Sequence, residues 1–362
     1  MKEVFYQKFR PHDICHLLGQ EVVKRMIKNT CKKEFFHHSY LLAGKFGTGK
    51  TSVARILASL ITCENRAHGS TKVCGKCQAC KAVYGGGSVD IQEWNAATDS
   101  KVENMRGVVE SSHYAPQSMK AKIFIIDECH CLSTAAMSSL LKTLEEPPAN
   151  SYFILCTTEF DKVPEPIQSR CQNLFFHPIS SSKLSPFLSA LFNSLKVEID
   201  KKAIDLILAS SKGSVRDALE IAQELVVMCD KGITENDVSM LLGTAGQSDL
   251  YSLIENMLEG DLLSAFDIIE SILISNVNIR AVAGQIAENF RNLMLATISE
   301  KYISNLMDSE KVFVKKNASK TTPGKLSEIL GVFEEAERGF QVNINNRWVI
   351  ETIVVKTIKI LN

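Results

Sequence analysis

Gly44, Gly47, Gly49, Lys50 and Thr51 stand in the pattern G-x-x-x-x-G-K-T, which restricts the local fold more than any other stretch of the chain. An apolar run at 40–43 leads into it, and apolar residues at helical spacing, Val53, Ile56, Leu57 and Leu60, follow. Strand, glycine-rich loop and helix are the setting in which backbone amides at a helix N-terminus surround a phosphate. Lys50 is then placed to reach the β- and γ-phosphates of a nucleotide, and the Thr51 hydroxyl to hold Mg²⁺. The expected binding element is the whole loop: Gly44, Lys45, Phe46, Gly47, Thr48, Gly49, Lys50, Thr51 and Ser52.

A second half-site follows in KIFIIDECH, residues 122–130. Its unbroken apolar run at 123–126 predicts a buried parallel strand, and Asp127 and Glu128 stand at its end. In such a pair Asp127 would bind Mg²⁺, usually through water, and Glu128 would orient and polarise an attacking water. Met137, Leu140, Leu141 and Leu144 then line one face of a helix. A further buried strand at 152–156 ends at Thr157 and Thr158, where a hydroxyl can bond a γ-phosphate or the lytic water. Arg170 lies just past a short helical stretch, where a guanidinium can reach a phosphate.

Between the half-sites, Cys63, Cys74, Cys77 and Cys80 have the spacing C-x10-C-x2-C-x2-C. Four thiolates so spaced suit tetrahedral Zn²⁺, with Gly75 easing the turn, and the absence of an open position makes the expected role structural. A Cys3His set that includes His68 is the alternative. The chain has 11 cysteines; that odd number in a chain of this size argues against a disulfide framework. The others, including Cys129, Cys131, Cys156 and Cys171, are expected to pack as small hydrophobes.

At 362 residues the chain exceeds one ordinary core, so two or three domains are expected. Its 45% hydrophobic and 23% charged content is that of a soluble globular protein. Lys+Arg and Asp+Glu both total 41, so no global positive field points to nucleic acid, and any DNA contact must be a local patch. Residues 1–10 lack the apolar core of a signal peptide and no apolar run approaches membrane-spanning length, which predicts a cytoplasmic protein with no membrane partner. Tyr6, Lys8, Arg10 and Pro11 read as a polar arm before a helix carrying Val22, Val23, Met26 and Ile27. Residues 177–183 read as a linker. A small helical unit follows, with Ile204, Ile207 and Leu208 in one helix and Val215, Ala218, Leu219, Ala222 and Leu225 in another. Residues 243–248 form a second linker. Helical stripes then run through Leu250, Leu253, Ile254, Met257, through Val282, Ile286, Phe290, Leu293, through Leu326, Ile329, Leu330, Phe333, and into a last helix at 347–361. The polar, lysine-rich stretch 308–323 is expected to be an exposed connection.

Together GKFGTGKTS, the four-cysteine insert, IIDECH, LLKTLEEPP, CTTE, QSRCQ and GSVRDAL resemble the bacterial DNA polymerase III gamma/tau subunits, the motors of the replicative clamp loader within the AAA+ ATPases. The likeness is specific from about Tyr6 to Gly243 and looser beyond. It implies an α/β fold: an AAA+ P-loop domain with a parallel sheet at 1–179, carrying a zinc module at 63–80. A small helical lid at 180–243 and an all-α collar at 249–362 would follow. It also implies roles. Lys50 and Thr51 would bind phosphate and Mg²⁺, with Asp127 as the second magnesium ligand and Glu128 as catalytic base. Thr158 would be the first sensor, Arg216 the second, and Arg170 an arginine finger acting in trans on a neighbour's site.

The cofactors implied are ATP, Mg²⁺ and Zn²⁺. The partners implied are a hetero-oligomeric ring with delta, delta-prime and further copies of the chain, the sliding clamp, primer-template DNA and the DNA polymerase III core. The enzyme class implied is an ATPase within a DNA-directed DNA polymerase holoenzyme, a nucleotidyltransferase complex. The chain departs from the family in having Lys45 and Phe46 where a Pro-Arg pair is common, and Trp94, Asn95 and Asp99 in the segment EWNAATD. No segment matches the extra domains of longer members, which fits a short gamma-like form or a piece of a longer chain. The alternatives are a non-hydrolysing scaffold like delta-prime and an AAA+ helicase or remodeller.

Overall fold

Apolar runs without polar alternation become strands buried on both faces, and three of the five strands announce themselves this way. The structure, a computed structural model, describes residues 4–85, 88–98, 102–229, 231–243, 246–274, 277–303, 306, 308–341 and 345–362. Its chain divides into two units, Met1–Leu191 with Leu208–Gln223, and Phe192–Ile207 with Glu224–Asn362. The first begins with α1 (Phe5–Lys8), α2 (Glu21–Lys33), β1 (Ser39–Gly44), α3 (Lys50–Thr62), α4 (Gln78–Gly85), β2 (Ile91–Asn95) and α5 (Val102–Ser112). It continues with β3 (Lys122–Asp127), α6 (Thr134–Glu145), β4 (Ser151–Thr157), α7 (Glu165–Gln168) and β5 (Gln172–Phe176). The helices α8 (Ser181–Leu195), α9 (Lys201–Ser211) and α10 (Val215–Met228) each run across the division between the units, and α11 (Glu235–Leu242) belongs to the second.

The five strands form one parallel sheet in the order β2-β3-β4-β1-β5. Period-two alternation splits the apolar side chains between its faces. Tyr40, Leu42, Ile123, Ile125 and Ile154 pack with Val23 and Ile27 of α2 and Val53, Ile56 and Leu57 of α3. Leu41, Phe124, Ile126, Phe153 and Leu155 pack with Met105 and Val108 of α5 and Leu140 and Leu144 of α6. Every strand therefore points its carboxyl end the same way, and the loops after β1, β3 and β4 meet along one edge, the usual place for a ligand in such a sheet. On α2 the sequence expectation needs one correction: Val22 is 71% exposed. The buried stripe is Val23, Ile27 and Cys31, which recur every four residues on one helix face, and Val22 falls outside it.

The second unit is helical. It contains α12 (Gln247–Glu259), α13 (Leu262–Ile274), α14 (Ile279–Ile298), α15 (Asp308–Asn317), α16 (Pro323–Gln341) and α17 (Asn346–Leu361). The predicted stripes converge in one core, in which Leu253, Ile254, Met257, Ile286, Phe290, Leu293, Leu326, Ile329, Ile353 and Val354 are fully buried. The expected exposed connection at 308–323 is instead largely α15. Phe313 and Val314 are buried, Phe313 stacks on Tyr251 with ring centroids 4.0 Å apart, and Glu255 accepts from Lys316 Nζ and Asn317 Nδ2. A lysine-rich composition concealed a helix whose buried apolar anchor, among the described residues, is that adjacent pair. Among the described residues no helix is long and apolar enough to cross a membrane.

Candidate nucleotide site

The phosphate loop closes on itself through Lys50. Its Nζ donates to the carbonyl oxygens of Gly44 at 2.7 Å and Lys45 at 3.0 Å. Burial pulls the ammonium below the usual lysine range, against the opposing pull of the Glu128 and Asp127 carboxylates. Two glycines are required here by contact. A Cβ on Gly44 would lie 2.4 Å from the carbonyl oxygen of Phe176, and one on Gly47, at φ +66°, would lie 1.9 Å from Ser214 Oγ. Lys45 and Phe46 leave those approaches untouched; Phe46 is 62% exposed, with Lys50 Nζ 5.5 Å from its ring centroid. Thr48 is buried and its hydroxyl donates to Lys45 O at 2.8 Å, so Thr48 fixes the loop from within. Ser52 lines the cavity that opens beside the loop.

The second half-site meets the first. Thr51 Oγ1 donates to Asp127 Oδ2 at 2.9 Å, which puts a hydroxyl and a carboxylate oxygen together as a hard divalent cation requires. Glu128 sits in the left-handed region at φ 50°, a conformation that costs energy for a residue with a Cβ and re-aims its side chain off the strand. Its Oε2 accepts from Thr158 N at 3.2 Å and Thr158 Oγ1 at 2.9 Å. The sequence-predicted Lys50, Thr51, Asp127, Glu128 and Thr158 are thus brought together.

A cavity of about 240 Å³ opens on this edge, with Lys50, Thr51, Asp127, Glu128, Asn95 and Arg216 in its wall. Arg216 arrives on α10, whose first turn touches the loop: Val215 N donates to Gly47 O at 3.1 Å. The guanidinium lies 4.8 Å from the Tyr6 ring and its Nε donates to Glu220 Oε1 at 2.9 Å. Asn95 faces the cavity because β2 pairs it with Asp127, so the departure at that position falls within the site. Trp94 points elsewhere, its Nε1 donating to Gln92 Oε1 at 3.4 Å, and Asp99 lies outside the described residues.

Sequence reasoning missed the remaining wall. Tyr6, Phe9, Arg10, Pro11, Leu17 and Leu18 fold back over the loop, so the polar arm is a side of the site. Burial, with the nearby Arg55 guanidinium, pulls Arg10 below the usual arginine range, while Glu93, itself paired to Arg55 at 2.9 Å, opposes the shift. Gln20, in the left-handed region at φ 55°, ties the arm to the loop by donating from Nε2 to Thr48 O at 3.1 Å and His177 O at 2.7 Å. Arg170 is not brought into this cavity. It pairs with Glu145 and donates from Nη1 to Pro166 O at 2.8 Å.

The sulfurs of Cys63, Cys74, Cys77 and Cys80 lie within 4.8 Å of one another, a donor set that fits a tetrahedral soft-ligand site, and His68 is outside the cluster. Backbone amides aim at these sulfurs: Lys76 N at 3.5 Å and Cys77 N at 3.3 Å from Cys74 Sγ, and Cys80 N at 3.5 Å from Cys77 Sγ. The Lys76 and Cys77 amides bring the Cys74 thiol down to about 6, toward the thiolate that a metal requires, while burial pushes the Cys80 thiol up. The insert is anchored by Arg66, which grips Glu34 with two bonds and holds its carboxyl down to about 2, helped by the Gly69 amide.

A triphosphate-sized cavity between a lysine-bearing loop and a strand-end carboxylate pair, with an arginine helix closing over it, makes this an AAA+ P-loop nucleotide-binding protein. The sequence pattern described as DNA polymerase III, delta subunit matches residues 19–180, and that of DNA polymerase III subunits gamma and tau domain III matches residues 233–360. The chain is 34% identical over 279 residues to the DNA polymerase III subunit gamma/tau of Mycoplasma genitalium, covering 77% of this chain and 46% of that one. It is 31% identical over 295 residues to the DNA polymerase III subunit gamma of Buchnera aphidicola subsp. Baizongia pistaciae, covering 82% and 79%. The Thermotoga maritima RuvB Holliday junction branch migration motor superposes with a TM-score of 0.47 at 20% identity, covering 69% of this chain and 79% of that one. The chain belongs to the DNA polymerase III gamma/tau family. It spans about half the length of the gamma/tau and tau relatives it matches.

Proposed function

We propose that this chain is the ATPase motor of a bacterial clamp loader, binding and hydrolysing ATP to place a sliding clamp on primed DNA. The observation that carries the reading is the convergence of Lys50, the Thr51–Asp127 pair, Glu128 and Arg216 on one cavity of a gamma/tau-family chain, with Thr158 bonded to Glu128 behind it. Lys50 would exchange its bonds to Gly44 O and Lys45 O for phosphate oxygens. Thr51 and Asp127 would hold Mg²⁺, which supplies charge neutralisation for the phosphates when bound. Glu128 would take a proton from the attacking water, Thr158 would sense the γ-phosphate, and Arg216 would report it from the lid helix. Division into a nucleotide domain at 1–179, a lid at 180–243 and a collar at 249–362 belongs to the same proposal. So does a cytoplasmic ring with delta, delta-prime and further copies, acting with the DNA polymerase III core. Polymerisation is assigned to that core and hydrolysis to this chain.

Phosphate release, measured with and without the clamp, primed DNA and the other loader subunits, tests the reading. Stimulation by clamp and primed DNA together is expected. An intact Glu128 that gives no turnover in the full assembly would point to a delta-prime-like scaffold, and strand displacement without a clamp to a helicase or remodeller.

For the four cysteines we propose structural Zn²⁺. Cys77→Ser is expected to lose the metal and to lower the melting midpoint of the first unit, since a three-thiolate remnant cannot close the tetrahedron. One zinc per chain in the variant by elemental analysis would remove the assignment.

A further inference from the structure

Behind Glu128, out of the cavity wall, lies His130, the last residue of the segment KIFIIDECH, to which sequence reading assigned no role. His130 is mostly buried, with a side chain 10% exposed. Its Nδ1 is 3.1 Å from Thr157 Oγ1 and 3.3 Å from Glu128 Oε2, and its Nε2 is 3.3 Å from Glu159 Oε1. Thr157 Oγ1 also lies 3.1 Å from Glu159 O and accepts from Glu159 N at 3.0 Å. With a hydrogen on Nδ1 the ring faces two acceptors on that side, Thr157 Oγ1 and Glu128 Oε2. Thr157 ends β4 and Glu159 follows it, so the strand beside β3 fixes the orientation of the ring. Glu159 is itself held by Lys162 Nζ at 2.8 Å.

We propose that His130 is the positioning residue for Glu128, its Nδ1–H fixing the carboxylate that activates water. In this structure Glu128 Oε2 accepts from Thr158 N and Oγ1 and lies 3.3 Å from His130 Nδ1. Thr158 cannot serve Glu128 and a γ-phosphate with the same hydroxyl proton. Once Thr158 turns to phosphate, His130 is the side-chain donor left on Glu128 among the described residues, and it keeps the second carboxylate oxygen aimed at water. A carboxylate on a left-handed backbone residue needs such a tether, because a misaimed base loses rate without losing substrate. This rests on the reading that the chain hydrolyses ATP through Glu128.

Steady-state phosphate release by the complete loader with clamp and primed DNA, run beside thermal melting, tests it on His130→Ala, His130→Asn and His130→Gln, with Glu128→Gln as reference. His130→Ala is expected to lower kcat roughly 10- to 100-fold with KM for ATP within about twofold of wild type. Asparagine places an N–H where Nδ1 stood and should recover most of the loss. Glutamine places it where Nε2 stood and should not. Unchanged kcat in His130→Ala, a KM rise that accounts for the whole loss, or equal recovery by both amides would overturn the proposal while leaving the ATPase reading in place. Wild-type turnover indifferent to Glu128→Gln would instead overturn the reading beneath it as well.

Discussion

Lys50→Ala is expected to abolish measurable ATP binding, a loss of roughly 100-fold or more in affinity, while the chain still folds. Lys50 is 5% exposed and its ammonium bonds go to two carbonyls of its own loop, so the loop is already shaped around a cation that anionic oxygens can claim. Moving charge-assisted bonds from neutral carbonyls to phosphate is favourable by several kcal/mol, of the order of 3 or more for two such bonds. Alanine forfeits all of it. Folding should suffer little, because burial already disfavours the charge of Lys50. Isothermal titration with ATP, run beside a melting curve, separates the two effects. Wild-type affinity in a folded variant would remove the site assignment altogether.

What could be read in the sequence follows how each structural feature is encoded. The central strands β1, β3 and β4 were visible because burial on both faces forces apolar runs. The edge strands β2 and β5, reading IQEWN and QNLFF, are half-buried and mix polar with apolar residues, so nothing in their pattern announces a strand. The phosphate loop and the Asp127-Glu128 pair were visible because their chemistry allows few substitutes. The arm carrying Tyr6 and Arg10 was not, since its place in the site comes from Gln20 reaching 157 positions along the chain to His177. His130 was hidden for a similar reason: its role depends on Thr157 and Glu159, which only strand pairing brings beside it. In the second unit the strong stripes emerged from periodicity, and α15 did not, because its core contribution is one adjacent pair in a charged segment.

Arg170→Ala should produce the other large effect, and in a different place. It is expected to leave ATP binding by the isolated chain within about twofold and to suppress hydrolysis by the assembled loader by roughly 1,000-fold, the scale on which a guanidinium supplied to a phosphoryl transition state acts. Arg170 is absent from the wall of its own chain's cavity. Its side chain is 33% exposed and held by Glu145 and the Pro166 carbonyl. An exposed pair of this kind is worth about 1 kcal/mol or less, so a neighbouring subunit's phosphate could draw the guanidinium away at small cost. In the lone chain its loss should therefore be silent. Titration of ATP into the isolated variant and phosphate release by the assembled one must be read together. Impaired binding in isolation would place Arg170 in its own chain's site and refute action in trans, and full turnover in the assembly would deny it any part in the chemistry.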